Sequence, residues 1–236
     1  MNAKQEGSFK VRVGDSSIER EHAAKLLGVQ VDDELGWKEQ VHGKGGVISS
    51  LNQRTHLIKR LRNHINPGKL RKIVDSLWTS KLRYGLQLWA TVRTEDTETK
   101  KNLVVEVQKA QNKLLRVLEK KRISDKIPVK SMLESQKMLS VNQLAAQIKL
   151  TEVWKAKNSE EYPIRMEFRA TNENERTTRG ASGGRTVETG KSHKAKSTFV
   201  GDATRLWNKA PPSVTNAGTL WIAKREIKLF CKQLPI

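Results

Sequence analysis

Positive charge in this sequence is concentrated in two segments rather than spread along the chain. Residues 38–83 carry eleven basic side chains against two acidic ones, and residues 100–122 carry eight against two. The two segments thus hold fifteen of the twenty charges by which Lys and Arg outnumber Asp and Glu. So much unneutralised charge repels itself in a compact chain, and the concentration therefore indicates a polyanionic partner.

The charge pattern of these segments differs from that of an ordinary solvated helix face. Such a face interleaves acidic and basic side chains three or four positions apart, and the pairs neutralise one another. Acidic neighbours are nearly absent here, so we predict contacts to a nucleic-acid backbone without reading of base edges. The residues expected to make these contacts are Arg54, Lys59, Arg60, Arg62, Lys69, Arg71, Lys72, Lys81, Arg83, Lys109, Lys113 and Arg116.

Apolar residues after residue 37 recur at the three- and four-residue intervals of amphipathic helices. Asn66-Pro67 is a typical helix start, with asparagine as the N-cap and proline in the first turn. We expect helices at 47–64, 98–121, 129–137, 141–157 and 219–233. A further helix is expected to begin at residue 67, with an apolar stripe formed by Leu70, Ile73, Val74, Leu77 and Trp78.

The first 36 residues have the pattern of strands instead. Phe9, Val11 and Val13 alternate with basic residues ahead of a Gly14-Asp15 turn, which is typical of a half-buried strand entering a hairpin. We interpret the run 26–31, Leu-Leu-Gly-Val-Gln-Val, as a second short strand. The expected fold class is therefore mainly α, with a small N-terminal β-hairpin followed by a helical bundle.

A third kind of composition appears at residues 169–196. This stretch is rich in Thr, Gly, Ser, Arg and Lys and has almost no large apolar residue, so it cannot bury enough surface to offset the entropy of ordering. We expect it to be disordered. The predicted organisation is a β-hairpin unit at 1–36, a helical domain at 37–160, a flexible basic linker at 161–198 and a C-terminal helical segment at 199–236.

Patterns that catalysis or metal binding would need are scarce. The five histidines lie at least eight residues apart, so no two are spaced as paired zinc ligands on one helix face. The lone Cys231 excludes an internal disulfide, and Gly43–Gly46 is not followed by the Ser or Thr of a phosphate-binding loop. Asp32-Asp33 could bind divalent metal, but carboxylates that start a turn and a helix are the favoured interpretation. We expect no catalytic residue, no metal, no cofactor and no small-molecule substrate.

Targeting and membrane signals are not visible either. The first ten residues are polar, without the apolar stretch of a signal peptide, and no window approaches 18 uncharged apolar residues. A single cysteine suits a reducing compartment. We therefore expect a protein of the nucleus or cytoplasm that does not bind membranes.

Four ordered blocks of the sequence resemble one protein family, the reverse transcriptases of non-LTR (LINE-type, jockey-like) retrotransposons. The family patterns are LGV-x-hydrophobic-D…L-x-W, L…L-x-YG…W, LQ…QN-x-x-LR and F…A…LWN-x-LPP…F. The matching residues are Lys25 to Asp32 with Leu35-Gly36-Trp37; Leu77-Trp78, Leu82, Tyr84-Gly85 and Leu88-Trp89; Val107 to Asn112 with Leu115-Arg116; and Phe199, Ala203, Leu206-Trp207-Asn208, Ala210-Pro211-Pro212 and Phe230.

The resemblance implies which part of such an enzyme this chain would be. The first block closes the family's palm, so Leu27 and Gly28 would fall in its primer-grip hairpin, and the helices from 37 to 122 would form a thumb that holds RNA or an RNA–DNA template–primer. The family's catalytic aromatic-x-Asp-Asp motif lies upstream of this block, and the 25 residues before Leu26 do not contain it. Asp32-Asp33 lies after the block and is not its counterpart.

Three functions remain open on the sequence alone. The first is a nucleic-acid-binding thumb fragment that performs no chemistry by itself. The second is a piece of an active RNA-directed DNA polymerase whose palm and fingers are missing from this sequence. The third is a basic helical scaffold for protein partners, whose affinity would not depend on ionic strength.

Overall fold

A computed structural model describes residues 10–19, 21–94, 103–163, 168–169, 186–187 and 198–236. The described chain is mainly helical with strands at its N-terminal end, which confirms the expected fold class. Two antiparallel hairpins stand where one was predicted. The first pairs β1 (Lys10–Val13) with β2 (Ser16–Glu19), and the second pairs β3 (Ala23–Leu26) with β4 (Val29–Asp32).

The prediction of one strand across residues 26–31 was wrong. Leu26 pairs with Val29, so Leu27 and Gly28 form a two-residue turn between β3 and β4. Both have positive φ, 47° and 81°, as the two central residues of a type I′ hairpin turn require. Glycine adopts this backbone without strain, but leucine rarely does, and that is why the sequence concealed the turn.

Helices occupy most of the remaining chain up to residue 158, and the described C-terminal part is helical as well. Their bounds are α1 Lys38–His42, α2 Val47–Leu61, α3 Pro67–Ile73, a π-helical segment Val74–Thr79, α4 Ser80–Arg83, α5 Leu86–Trp89, α6 Leu103–Glu119, a 3₁₀ turn Ile123–Asp125, α7 Val129–Ser135, α8 Val141–Asn158, α9 Phe199–Lys209, α10 Pro212–Thr215 and α11 Leu220–Cys231.

Local chemistry accounts for several helix starts. The Asn66 side chain accepts a hydrogen bond from Gly68 N at 2.9 Å with Pro67 in the first turn, as predicted. Ser140 and Gln143 form a reciprocal capping box at α8, and the Thr219 hydroxyl caps α11. Each cap satisfies amide groups that have no partner within their own helix.

The apolar stripe predicted after residue 67 is only partly buried. Leu70, Val74 and Trp78 lie in the core, whereas Leu77 is exposed. The cause is the π-helical segment Val74–Thr79, in which each turn holds more residues than in an α-helix and so rotates the following side chains.

Most of the predicted linker at 161–198 lies outside the described residues. Within that range the structure contains a short antiparallel pair, β5 (Phe168–Arg169) with β6 (Thr186–Val187). The start of the helix predicted at residue 98 also lies outside the described residues, and α6 is described from Leu103.

One hydrophobic core joins the helices before residue 158 to those after residue 198. Leu51 of α2, Leu114 of α6 and Ala145 of α8 belong to the same buried cluster as Trp207 of α9 and Ile227 of α11. The segments predicted at 37–160 and 199–236 therefore contribute to a single core. As a result, α11 packs against α8 and lies near α3, α4 and α7.

A buried ion pair lies between α8 and α9. The Lys149 ammonium contacts Asp202 Oδ2 at 2.6 Å, with side-chain exposures of 1% and 0%. Lys149 also donates to Ala90 O at 2.7 Å, and Asp202 accepts from Val92 N at 2.8 Å and from Arg205 at 2.6 Å. Burial lowers the pKa of Lys149, and the adjacent Asp202 carboxylate opposes that shift. The pair therefore ties the extended segment after α5 to both helices.

The thiol of Cys231 reports whether α11 is docked. It is fully buried on the core face of α11, and burial raises its pKa from 9.0 to about 12. Because the thiolate is the reactive form, we expect almost no labelling by a disulfide reagent at pH 8 in the native protein. Labelling should become complete when denaturant unfolds the chain. Equal labelling rates for native and denatured protein would contradict the docked position of α11.

Candidate nucleic-acid interface

Lysines from the two basic segments meet between α2 and α6. Lys59 of α2 and Lys113 of α6 line one depression together with Asn52, His56 and Val117. Both lysines are exposed, and neither makes a hydrogen bond or ion pair with another described residue. The two clusters of charge recognised in the sequence therefore share a surface at this point.

A second depression adjoins the first near the C-terminal ends of α2 and α6. Arg62 donates to Val117 O at 2.5 Å and so connects the two depressions. The second is lined by Arg62, Arg71, Lys120 and Gln136 among others, and Arg71 donates to Gln136 O across it. Arg62 and Arg71 are thus half-buried side chains that hold neighbouring helices together as well as carry charge.

The depressions continue along α4, α7 and α11. Arg71 also lines a third depression, with Arg83, Lys137 and Lys228. Lys137 and Lys228 line a fourth, which adds Lys130 and Lys232. The second, third and fourth depressions share wall residues, and the Arg62–Val117 hydrogen bond connects the first to the second. We name the resulting surface the basic groove. Its cations are Lys59, Arg62, Arg71, Arg83, Lys113, Lys120, Lys130, Lys137, Lys228 and Lys232.

Acidic side chains are few along the basic groove. Asp75 and Glu134 are the acidic side chains among the residues that line the four depressions. Asp75 pairs with Arg71 at 3.0 Å and accepts from Thr79 at 3.4 Å. Ten basic side chains therefore line these depressions together with two acidic ones, and such a surface concentrates positive potential and attracts polyanions.

Five of the predicted contact residues line the basic groove: Lys59, Arg62, Arg71, Arg83 and Lys113. The others do not line these depressions. They are Arg54, which donates to Ser50 O of its own helix; Lys81, which lies 5.9 Å from the centre of the Tyr84 ring; Arg116, which donates to Asn112 O; and Arg60, Lys69, Lys72 and Lys109, which are exposed.

Sequence reasoning missed the other five cations of the groove. Lys120 was counted in the second basic segment but not chosen, and Lys130 and Lys137 follow that segment in α7 and just after it. Lys228 and Lys232 belong to the final helix, far along the chain. Their spacing of four residues, which puts both on one helix face, was a signal that could have indicated them.

Leu27 and Gly28, expected in a primer-grip-like position, form the exposed tip of the second hairpin. The Leu27 side chain is 84% exposed, and its carbonyl oxygen accepts a hydrogen bond from the Tyr84 hydroxyl. A side chain at Gly28 would come within 3.6 Å of that hydroxyl. The hairpin tip therefore rests on the residue that follows Arg83 of the basic groove. A primer-gripping role for this tip stays a prediction.

The Asp32-Asp33 pair serves the local backbone. Asp32 accepts hydrogen bonds from Gly36 N at 2.7 Å and Trp37 N at 2.8 Å, while Asp33 contacts His22 at 3.1 Å. This is the turn-forming role that the sequence favoured. Across the described ranges, no group of three His, Cys, Asp or Glu residues is arranged to hold a metal ion.

None of the helices in the described part of the chain is long and apolar enough to cross a bilayer. Comparison of the chain with protein-family models, with curated proteins and with solved structures returned no match.

Proposed function

We propose that this chain is a nucleic-acid-binding module that holds RNA or an RNA–DNA template–primer by its phosphate backbone, as the thumb of a reverse transcriptase would. The observation that carries the proposal is the continuity of the basic groove. Side chains of α2, α3, α4, α6, α7 and α11 contribute to it, although they are separated by up to 173 positions between Lys59 and Lys232.

The length of the basic groove favours a polymer over a small anion. A single phosphate or carboxylate needs one compact cluster of donors, whereas here cations follow one another through four adjoining depressions. Lysines make up seven of the ten, and a lysine ammonium serves as a point charge for phosphate without fixing the geometry of one ligand. This composition supports backbone contact without base selection.

Binding to a labelled RNA–DNA duplex should weaken steeply with salt. If six to ten phosphates are contacted, affinity should fall about 10³- to 10⁵-fold between 50 and 200 mM salt, because each neutralised phosphate releases condensed counterions. Fluorescence anisotropy across that range gives the slope of log K against log salt. The expected slope is about −0.9 for each contacted phosphate.

The same titration separates this proposal from a protein-binding scaffold. A slope near zero, or no binding at 50 mM salt, would overturn the proposal. Blunt duplexes of RNA–DNA hybrid, double-stranded RNA and double-stranded DNA should bind with comparable slopes, since the groove contacts phosphates. If the chain prefers one of these duplexes, the preference would reflect the geometry of that duplex rather than its base sequence.

A further inference from the structure

The outer face of α11 carries a large aromatic side chain without cover. Trp221 is 70% exposed, although tryptophan side chains are on average highly buried in proteins. It lies in the first turn of α11, whose opposite face packs Ala223, Ile227 and Cys231 into the core. The packing of α11 against the core therefore does not require the Trp221 side chain.

Cations continue the line that Trp221 begins. Arg225, Lys228 and Lys232 follow at intervals of four, three and four residues, so all four side chains lie on one stripe of the helix surface, and all are exposed. Lys228 and Lys232 belong to the basic groove. Trp221 thus stands at the end of a row of cations that runs into the groove.

The Trp221 ring and Arg225 already contact each other. The Arg225 guanidinium lies 5.4 Å from the ring centre and is held by Glu226 at 3.0 Å. A ring supported in this way loses little conformational entropy when a second flat group stacks on it. Nucleobases present such a flat group whatever their identity.

We infer that the α11 stripe binds a single-stranded stretch of nucleic acid, with one base stacked on Trp221 and the following phosphates on Arg225, Lys228 and Lys232. The stripe spans about 16 Å from residue 221 to residue 232. A strand covers that length with roughly five stacked nucleotides. This inference rests on the proposed function, because it places a single-stranded extension beside a duplex held in the basic groove.

The same surface fits other partners less well. A bilayer would need the apolar side of the helix, but Ala223, Ile227 and Cys231 are buried in the core. A protein interface would be expected to deplete lysine at its centre, whereas two of the four residues of this stripe are lysines. The combination of one exposed indole with three cations is instead the composition of a site for unpaired nucleotides.

The test compares three ligands: a blunt RNA–DNA hybrid, the hybrid with a five-nucleotide single-stranded extension, and the hybrid with an abasic extension of equal length. The extension should strengthen binding by the native chain. Trp221→Ala should weaken binding of the extended hybrid by about 5- to 140-fold, the range for loss of one base–aromatic contact. It should leave the blunt and abasic ligands unchanged, because their phosphate contacts remain.

Two control variants make the outcome specific. Leu229→Ala removes another exposed apolar side chain of α11 and should change none of the three affinities. Trp221→Phe keeps an aromatic ring and should recover part of the extended-hybrid affinity. Equal binding of extended and blunt hybrids by the native chain, or equal losses on all ligands in Trp221→Ala, would overturn the inference. Failure of the proposed function would look different, since the blunt hybrid itself would not bind with a steep salt dependence.

Discussion

Replacing Asp202 with alanine should lower the free energy of unfolding by about 3–5 kcal/mol, as expected when one partner of a buried ion pair is removed. The substitution leaves the Lys149 ammonium in the core with the Ala90 carbonyl oxygen as its remaining hydrogen-bond acceptor in the described part of the chain. It also removes the acceptor of Val92 N and a partner of Arg205. Urea denaturation followed by circular dichroism measures the loss.

Two further variants test whether the loss of stability comes from the buried charge. Lys149→Met should cost less than Asp202→Ala, because Asp202 keeps its contacts to Val92 N and Arg205. Asp75→Ala breaks the exposed Arg71–Asp75 pair and should cost less than about 1 kcal/mol, as surface ion pairs do. If Asp202→Ala cost no more than Asp75→Ala, the ion pair would not be the structural tie between α8 and α9 that its geometry indicates.

Neutralising four lysines of the basic groove should reduce duplex affinity on the order of 1,000-fold at 0.1 M salt. The variant changes Lys59, Lys113, Lys137 and Lys228 to glutamine, and these exposed side chains make no ion pair with another described residue, so the fold should persist. Four lost phosphate contacts should make the slope of log K against log salt shallower by about three to four units. Anisotropy titrations at several salt concentrations give both quantities.

A matched variant with the same net charge gives the comparison. Lys25, Lys38, Lys44 and Lys121 are exposed and lie outside the four depressions, so changing them to glutamine alters total charge equally. For this second variant, the slope of log K against log salt should stay close to that of the native chain. Equal losses from both variants would mean that net charge, rather than the arrangement of the basic groove, determines binding.

Local signals in the sequence predicted most helix positions, because helix starts depend on neighbouring residues. Asn66-Pro67 begins α3 as expected, and the predicted helix at 141–157 matches α8 within one residue. The hairpin turn at Leu27-Gly28 was missed because it places a leucine at positive φ. The π-helical segment after Ile73 was missed because nothing in its composition distinguishes it from an α-helix.

The basic groove was predictable only in part, for a physical reason. Charge density along the chain identified Lys59 and Lys113, but Lys137 and Lys228 meet only after α11 docks against α8. The charge of neighbouring residues in the sequence does not predict which helices pack together in this way. Lys149 and Asp202 show the same limit, because each reads as a solvated charge until α8 and α9 bring them together in the core.

Because the helices before residue 158 and after residue 198 share one core, the wall of the basic groove forms only when both parts have folded together. Since Lys228 and Lys232 reach the groove only through the docking of α11, a polyanion that contacts them binds the folded state more tightly than the unfolded chain. This preference stabilises the fold, by up to about 2.7 kcal/mol at a concentration one hundred times Kd. The ligand would in this way act as a clamp between the first helices of the chain and its last.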